Sequence, residues 1–570
     1  MTVANRDHHA IFPASWNRSG NVGSPSAESD FLAQWYSTII LGAGAGTTRI
    51  QELQTAHTNA GVAQNISLYT KSCGLASGSD TDESSWGYST LSAQGALAVN
   101  ASAQAVTNRW NGWRYADILG HLSEWITNRT SLLAEMFGRA SIQGFYLDDY
   151  GPMIVTGSNS YTVDPSKSAT TPNGYTDTLW EAATRSVVQQ LAAAYPTKNC
   201  YFNSYVGFAA VGQRGLEALQ YASGMFMEGW AYKTNGTATP GYWDTTRFRQ
   251  QISDCVTALA SFGGKKVIVI DDFNATDTPR RLLRLGAYLL AYDGTANLKE
   301  MCRVFDGDAN LNYPVEYDNA IAALGNPLSV RTDDGTLLYR NYQYGRVIVN
   351  PSANDVVTSV SGRAEKMTIS GSTAWNNLGS TSWSESSGSV TVPARSSLVL
   401  RYRPVSSFTR TPKIATPPAT VTVNASGSSD QAQGTLEYNT DFGSGYVGWQ
   451  DSAVFTKLFE SAGTFSISVK ARNKTTGLDS NASSLSVVLT EDGISGQAPL
   501  TVTLDVSGSI GAVGLTYQFD FDEGNGPGNW SSTPTATHVY NSPGTFHPRV
   551  RAQTPDGVVG AWFSTVVVVS

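Results

Sequence analysis

The sequence predicts a multidomain chain. A (β/α)8 TIM barrel is expected over residues 1–327, a small antiparallel β-sandwich over 328–405, a linker over 406–416, and two tandem β-sandwiches over 417–492 and 493–570. Three observations predict this. Strand-like and helix-like stretches alternate about eight times in the first part. Hairpin patterns without helical period take over near residue 328. The last part then repeats itself at an offset of about 80 residues.

The barrel elements come first. Apolar, β-branched or aromatic runs read as strands at 10–16 (AIFPASW), 37–43 (STIILGA), 64–71 (QNISLYTK), 144–149 (GFYLDD), 200–206 (CYFNSYV), 224–230 (GMFMEGW), 266–273 (KVIVIDDF) and 287–294 (AYLLAYDG). Helix candidates lie between them, the clearest over 117–138, with apolar residues at 118, 119, 122, 125, 126, 132 and 133. The 72–116 stretch exceeds an ordinary connection, so it predicts a long loop at one barrel face. Beyond the barrel, TLLYRNYQYGRVIVNPS and SVTVPARSSLVLRY predict the small sandwich, and the Pro/Ser/Thr-rich run after it predicts the linker.

Composition sets the outer bounds. Charged residues are only 15% and the net charge is −8, without a Lys/Arg cluster, so nucleic acid is not an expected partner. No run reaches the ~18 apolar residues of a membrane span, so no membrane partner is expected. The opening MTVANRDHHAIFPASW lacks the basic start and apolar core of a secretory signal, so either a mature form with a replaced start or another route outside the cell is expected, a virus particle released by lysis being one such route. Four widely spaced cysteines read as buried free thiols, with one disulfide left open. No metal-ligand spacing is present, DFDEGNG (520–526) falls out of the EF-hand register, and neither metal nor cofactor is expected.

A barrel of this kind works at the C-terminal ends of its strands. The predicted strands put Asp148, Asp149, Asp271, Asp272 and Glu228 there, with Trp16, Tyr69, Asn203, Tyr205, Trp230, Tyr292 and Asp293. Strand three also ends in Lys71. Crowded carboxylates beside rings split in pKa, one ionised and one protonated, which is the pair that cleaves a glycosidic bond. Aromatic faces such as Trp16, Trp35, Trp230 and Trp243 suit sugar rings. Alternation puts Asp148 on one face with Gly144 and Tyr146, towards the barrel mouth, and Asp149 with Phe145 and Leu147.

Two resemblances add to this reading. GFYLDD followed by a turn resembles the fourth strand of barrel glycoside hydrolases, and RVIVNPS resembles the sandwich that closes such enzymes. That resemblance implies a catalytic role for Asp148; strand five departs from it in offering Asn203 and no acid, and the rim reading offers Asp148 as nucleophile or base and Glu228 of strand six as general acid. The C-terminal repeats resemble the PKD domain, an immunoglobulin-like module. Tyr438, Asp441, Phe442 and Gly443 followed by Phe459, Gly463, Thr464 and Phe465 form one copy. Tyr517, Asp520, Phe521 and Gly524 followed by Tyr540, Gly544, Thr545 and Phe546 form the other. The resemblance implies spacing or adhesion beside a glycan-active domain. The expected function is hydrolysis or binding of polysaccharide by an extracellular or virion-borne protein, with other virion proteins as further partners. The alternative is a non-catalytic bacteriophage decoration or adhesion protein.

Overall fold

The computed structural model describes the chain from residue 9 onward except 14–24, 42–46, 64, 72–73, 78–84, 101, 107–113, 140, 151–175, 205–211, 228, 234–240, 273–277, 305–313, 372–378, 490–493 and 510–512. Eight parallel strands close into a barrel: β1 (His9–Pro13), β2 (Thr38–Leu41), β3 (Ile66–Lys71), β4 (Gly144–Tyr150), β5 (Asn199–Ser204), β6 (Gly224–Met227), β7 (Lys266–Asp272) and β8 (Leu298–Val304). The last strand closes on the first from His9↔Glu300 to Pro13↔Val304. Helices α1 (Pro25–Trp35), α2 (Thr47–Asn59), α3 (Leu122–Arg139), α4 (Asp177–Ala194), α5 (Gly212–Leu219), α6 (Thr245–Ser261), α7 (Thr278–Ala291) and α8 (Val315–Leu324) follow the strands in turn. Side-chain caps start two of them. Thr176 accepts from the Leu179 amide at 3.2 Å before α4, and Asp244 accepts from the Arg247 amide at 2.9 Å before α6.

The eighth strand corrects the sequence reading. AYLLAYDG is not a strand but the end of α7 and the turn after it, and the true β8 is LKEMCRV. The reason is burial on every side: all residues from Leu283 to Ala291 are buried in α7, and its last turns, from Leu285 to Ala291, carry no charged residue to mark a polar side. Conversely β8 carries Lys299 and Glu300, both under 5% exposed, and so reads as polar.

What covers the outside of α7 is the small β-domain. Its six-stranded sheet and a two-stranded partner (Val356–Val360 with Gly388–Val392) enclose a core that includes Ile348, Leu400, Val360 and Val392. The sheet's other side lies on α7. The Ser397 hydroxyl donates to the Leu282 carbonyl at 2.6 Å, and Arg340 donates to the Leu290 carbonyl at 2.8 Å. At the start of α7, Arg281 grips Glu316 of α8 through two bonds of 2.7 and 2.8 Å, with both side chains at most 2% exposed. Barrel and small domain form one compact unit that runs to Arg403 and takes in residues 431–433. Two of the cysteines, Cys200 and Cys255, are free and buried in the barrel, and burial pushes both thiols far up.

A second unit comprises residues 404–430 and 434–570 and holds two β-sandwiches. Their separate cores centre on Val421, Val423, Ile467 and Val487 in the first and Val502, Phe519, Val550 and Val567 in the second. The expected linker is corrected here. Thr409–Thr411 pairs antiparallel with Ala419–Asn424, and Ile414–Ala415 pairs parallel with Ser483–Leu489, so 406–416 belongs to the first sandwich. Pro412 separates two short strands on different sheets, a placement proline tolerates and that reads as tether in sequence.

The packing of α7 makes a stability prediction. A Cβ on Gly286 would stand 2.6 Å from the Ser397 Cβ and 2.8 Å from a Val349 methyl. Gly286→Ala therefore lowers stability by about 1–3 kcal/mol through overpacking, although alanine is the better helix former. Gly138→Ala in α3, where no atom lies within 4 Å of the new methyl, raises stability by at most ~1 kcal/mol. Chemical denaturation of both variants checks the opposite signs.

Candidate active site

Parity governs the inside of the barrel, since alternate side chains of each strand point inward. Three adjacent strands place matched residues there. Ser67, Tyr69 and Lys71 come from β3, Gly144, Tyr146 and Asp148 from β4, and Asn199, Tyr201 and Asn203 from β5. The register stacks them in rungs, with Tyr69 opposite Tyr146, Tyr146 opposite Tyr201, and Lys71 opposite Asp148. The lowest rung needs glycine at 144, where a Cβ would come within 2.3 Å of the Asn199 carbonyl oxygen and 2.6 Å of the Ser67 hydroxyl.

The tyrosine rung is the floor. Tyr146 lies 5.6 Å from Tyr69 and 4.6 Å edge-on from Phe226, and Tyr201 lies 5.8 Å from Phe226. Ile40, Ile268 and Ile270 fill the rest of this inner cluster, while Phe145 and Leu147 pack outward in the main core. Above the rings sits Asp148. Its Oδ2 accepts from the Tyr69 hydroxyl at 2.6 Å and from Lys71 Nζ at 2.7 Å, and its Oδ1 accepts from Asn203 Nδ2 at 2.9 Å. The side chains of Lys71 and Asp148 keep 12% and 18% of their surface open.

A β-bulge ends the regular pairing here. Leu147 pairs with Phe202 and Tyr150 with Ser204, so Asp148 and Asp149 together oppose the single residue Asn203. A bulge re-aims side chains and ends regular pairing, and it is common beside functional sites. Behind β3, the outward neighbour Thr70 takes a bond from Arg129 at 3.2 Å. Arg129 also donates to the Trp86 carbonyl at 3.2 Å and lies 4.4 Å over Trp125. Burial pulls its guanidinium down to about 9, and the contacts fix β3 against α3 and the long insertion.

Electrostatics then set the protonation of Asp148. Burial alone would raise its carboxyl. The Lys71 charge and the bonds from Lys71, Tyr69 and Asn203 outweigh that and hold it well below the usual carboxylate range. The arrangement therefore presents an ionised carboxylate whose Oδ1 accepts from Asn203 among the described residues.

The predicted site residues divide as follows. Asp148, Tyr69 and Asn203 meet at one point. Asp271 and Asp272 end β7 opposite Cys302 and Arg303, but their side chains, like that of Asp149, lie outside the described residues, as do Trp16, Tyr205 and Glu228 altogether. The expectations for Trp230, Trp243, Tyr292, Asp293 and Trp35 fail. Trp230 is 1% exposed in the outer core, because alternation stops at Met227 and the chain turns through Gly229 and Ala231 at φ +70° and +62°. That turn is clamped by bonds from Trp243 Nε1 and Gln251 Nε2 to the Gly229 carbonyl at 2.8 and 2.9 Å, so Trp243 serves as a brace. Tyr292 and Asp293 stand in the loop before β8, at the opposite end of the barrel. Tyr292 stacks 5.9 Å from Tyr288, and Asp293 accepts from the Thr295 amide at 2.9 Å. Trp35 likewise ends α1, just before β2 begins, where it packs on Phe31. Sequence reasoning named Lys71 without giving it a task. The available signal was a tyrosine followed two residues later by a polar residue in three consecutive strands.

Comparison with known proteins adds three solved structures. A γ-cyclodextrin glucanotransferase (Gamma-CGTASE) from Alkalophilic bacillus clarkii is 10% identical, with 99% of this chain and 98% of that one covered at a TM-score of 0.32. A family GH13_31 enzyme is 9% identical, with 69% and 99% covered at 0.39. A xylosidase from Aspergillus niger is 14% identical, with 70% and 64% covered at 0.37. No curated protein matches the chain. Residues 484–567 match the family model of the PKD domain, which covers the second sandwich and the last strand of the first.

Proposed function

We propose that the barrel hydrolyses a polysaccharide by a two-carboxylate mechanism in which Asp148 is the ionised partner. The observation that supports this is the triple donation to Asp148 at the mouth of the barrel, above a floor of rings. A carboxylate held ionised is no proton donor, so Asp148 takes the part of nucleophile or base. The proton for the leaving oxygen comes from a second acid. Glu228, next after β6 in the chain, is the residue assigned to it, with Asp271 and Asp272 at the end of β7 as the other carboxylates of the rim. Lys71 and Tyr69 act through Asp148 as positioning residues, and Asn203 holds the oxygen that faces the reacting carbon. A setting outside the cell or on a virus particle, with the sandwiches as spacers or adhesion modules, belongs to the same proposal.

Asp148→Asn lowers sugar release from bacterial surface polysaccharides by at least about 10²-fold, measured as reducing ends, while binding of the same glycan persists. Equal release by variant and parent removes Asp148 from the mechanism. Binding without release in the parent favours the adhesion alternative.

The pH dependence has a definite sign. Because the folded carboxyl of Asp148 titrates below the unfolded one, its stabilisation is fully present above the unfolded value of about 3.9. It is lost as pH falls through the lower folded value. The acid limb of the activity profile therefore belongs to another group in the parent. Lys71→Met lets the Asp148 carboxyl rise, so the acid limb moves to higher pH, and a pH–rate profile of that variant reads the shift.

A further inference from the structure

We propose that the outer faces of the two C-terminal sandwiches bind an acidic polysaccharide. In the first sandwich Arg472 lies 4.2 Å over Trp449 and donates to Glu437 at 2.7 Å, while Lys470 lies 4.9 Å over Tyr446. In the second, Arg551 lies 4.4 Å over Trp562 and 5.4 Å over Trp530 and donates to Gln518 at 2.8 Å. Arg549 lies 4.7 Å over Trp562 and pairs with Asp520 at 2.9 Å.

These are two editions of one arrangement. Glu437 is the cross-strand partner of Arg472, as Gln518 is of Arg551. Trp449 and Trp530 each precede the residue that bridges back to the first strand, Gln450 to Tyr438 and Ser531 to Tyr517. The core of a sandwich requires none of this, since the inward residues between the cations, Ala471 and Val550, do the packing. Where the sheet needs only cross-strand support, a hydroxyl pair such as Thr503 and Thr537 at 2.9 Å supplies it.

Charge selects the occupant. Lys470 and Arg551 form no ion pair with a carboxylate among the described residues; Asp441 shares the first face and offsets its charge, so the surplus lies on the second, where Asp520 pairs with Arg549. A surplus positive charge beside indole rings, on a chain of net charge −8, complements a sugar polymer that carries carboxylates and offers flat ring faces. This inference does not depend on cleavage by the barrel.

The test is affinity electrophoresis of the full chain in gels that contain polygalacturonate or neutral dextran. Polygalacturonate retards the parent, dextran does not, and added salt weakens the retardation. Lys470→Gln with Arg551→Gln lowers the apparent affinity by about tenfold, equivalent to ~1.4 kcal/mol. Trp449→Ala with Trp530→Ala lowers it further. Thermal melts confirm that each variant is folded, and the glutamine pair decides if the tryptophan pair is not. The proposal is overturned by no retardation of the parent, by equal retardation in dextran, or by unchanged retardation of the folded glutamine pair.

Discussion

The two-residue period of a strand in a closed barrel is the constraint on which the rest of unit one depends. Once β3, β4 and β5 are in register, their inward positions are no longer free to be chosen separately. A tyrosine in each strand gives a floor of rings, and the next inward position of each gives Lys71, Asp148 and Asn203. One slip in the register would turn Asp148 out towards the helices with Phe145 and Leu147. The bulge at Asp148 and Asp149 ends that alternation only after the key side chain is in place.

Putting a lysine and an aspartate together at such a depth carries a desolvation cost. Both side chains keep a little open surface, so the cost is smaller than for a sealed pair. The three donors on Asp148 recover part of it and remove the freedom of the carboxylate to rotate or to take a proton. A site built this way favours fixed orientation over adaptability.

Much of this was legible in the residues. Seven of the eight strands and the position of Asp148 follow from apolar runs and from alternation. The eighth strand did not, because α7 is wrapped on all sides and β8 buries Lys299 and Glu300, which inverts the usual polarity cue at both. Trp230 and Tyr292 were misplaced for a related reason: the period that sorts inside from outside holds only while the strand lasts. The task of Lys71 was hidden because a lysine at a strand end ordinarily reads as solvated. Only its register opposite Asp148 gives it a buried partner. The run at 406–416 shows the same limit in the second unit, where composition could not distinguish two short edge strands from a tether.

The burial of α7 between the barrel and the small sheet also says where this chain divides. A helix buried on every side has no solvent-ready face, so severing the polypeptide near residue 327 would expose a second core instead of releasing a finished module. The natural seam falls after Arg403, where the compact unit of barrel and small sheet ends. Shuffling of parts, whether by evolution or by design, would exchange the barrel with its small sheet still attached, and would treat the tandem sandwiches as the replaceable cargo.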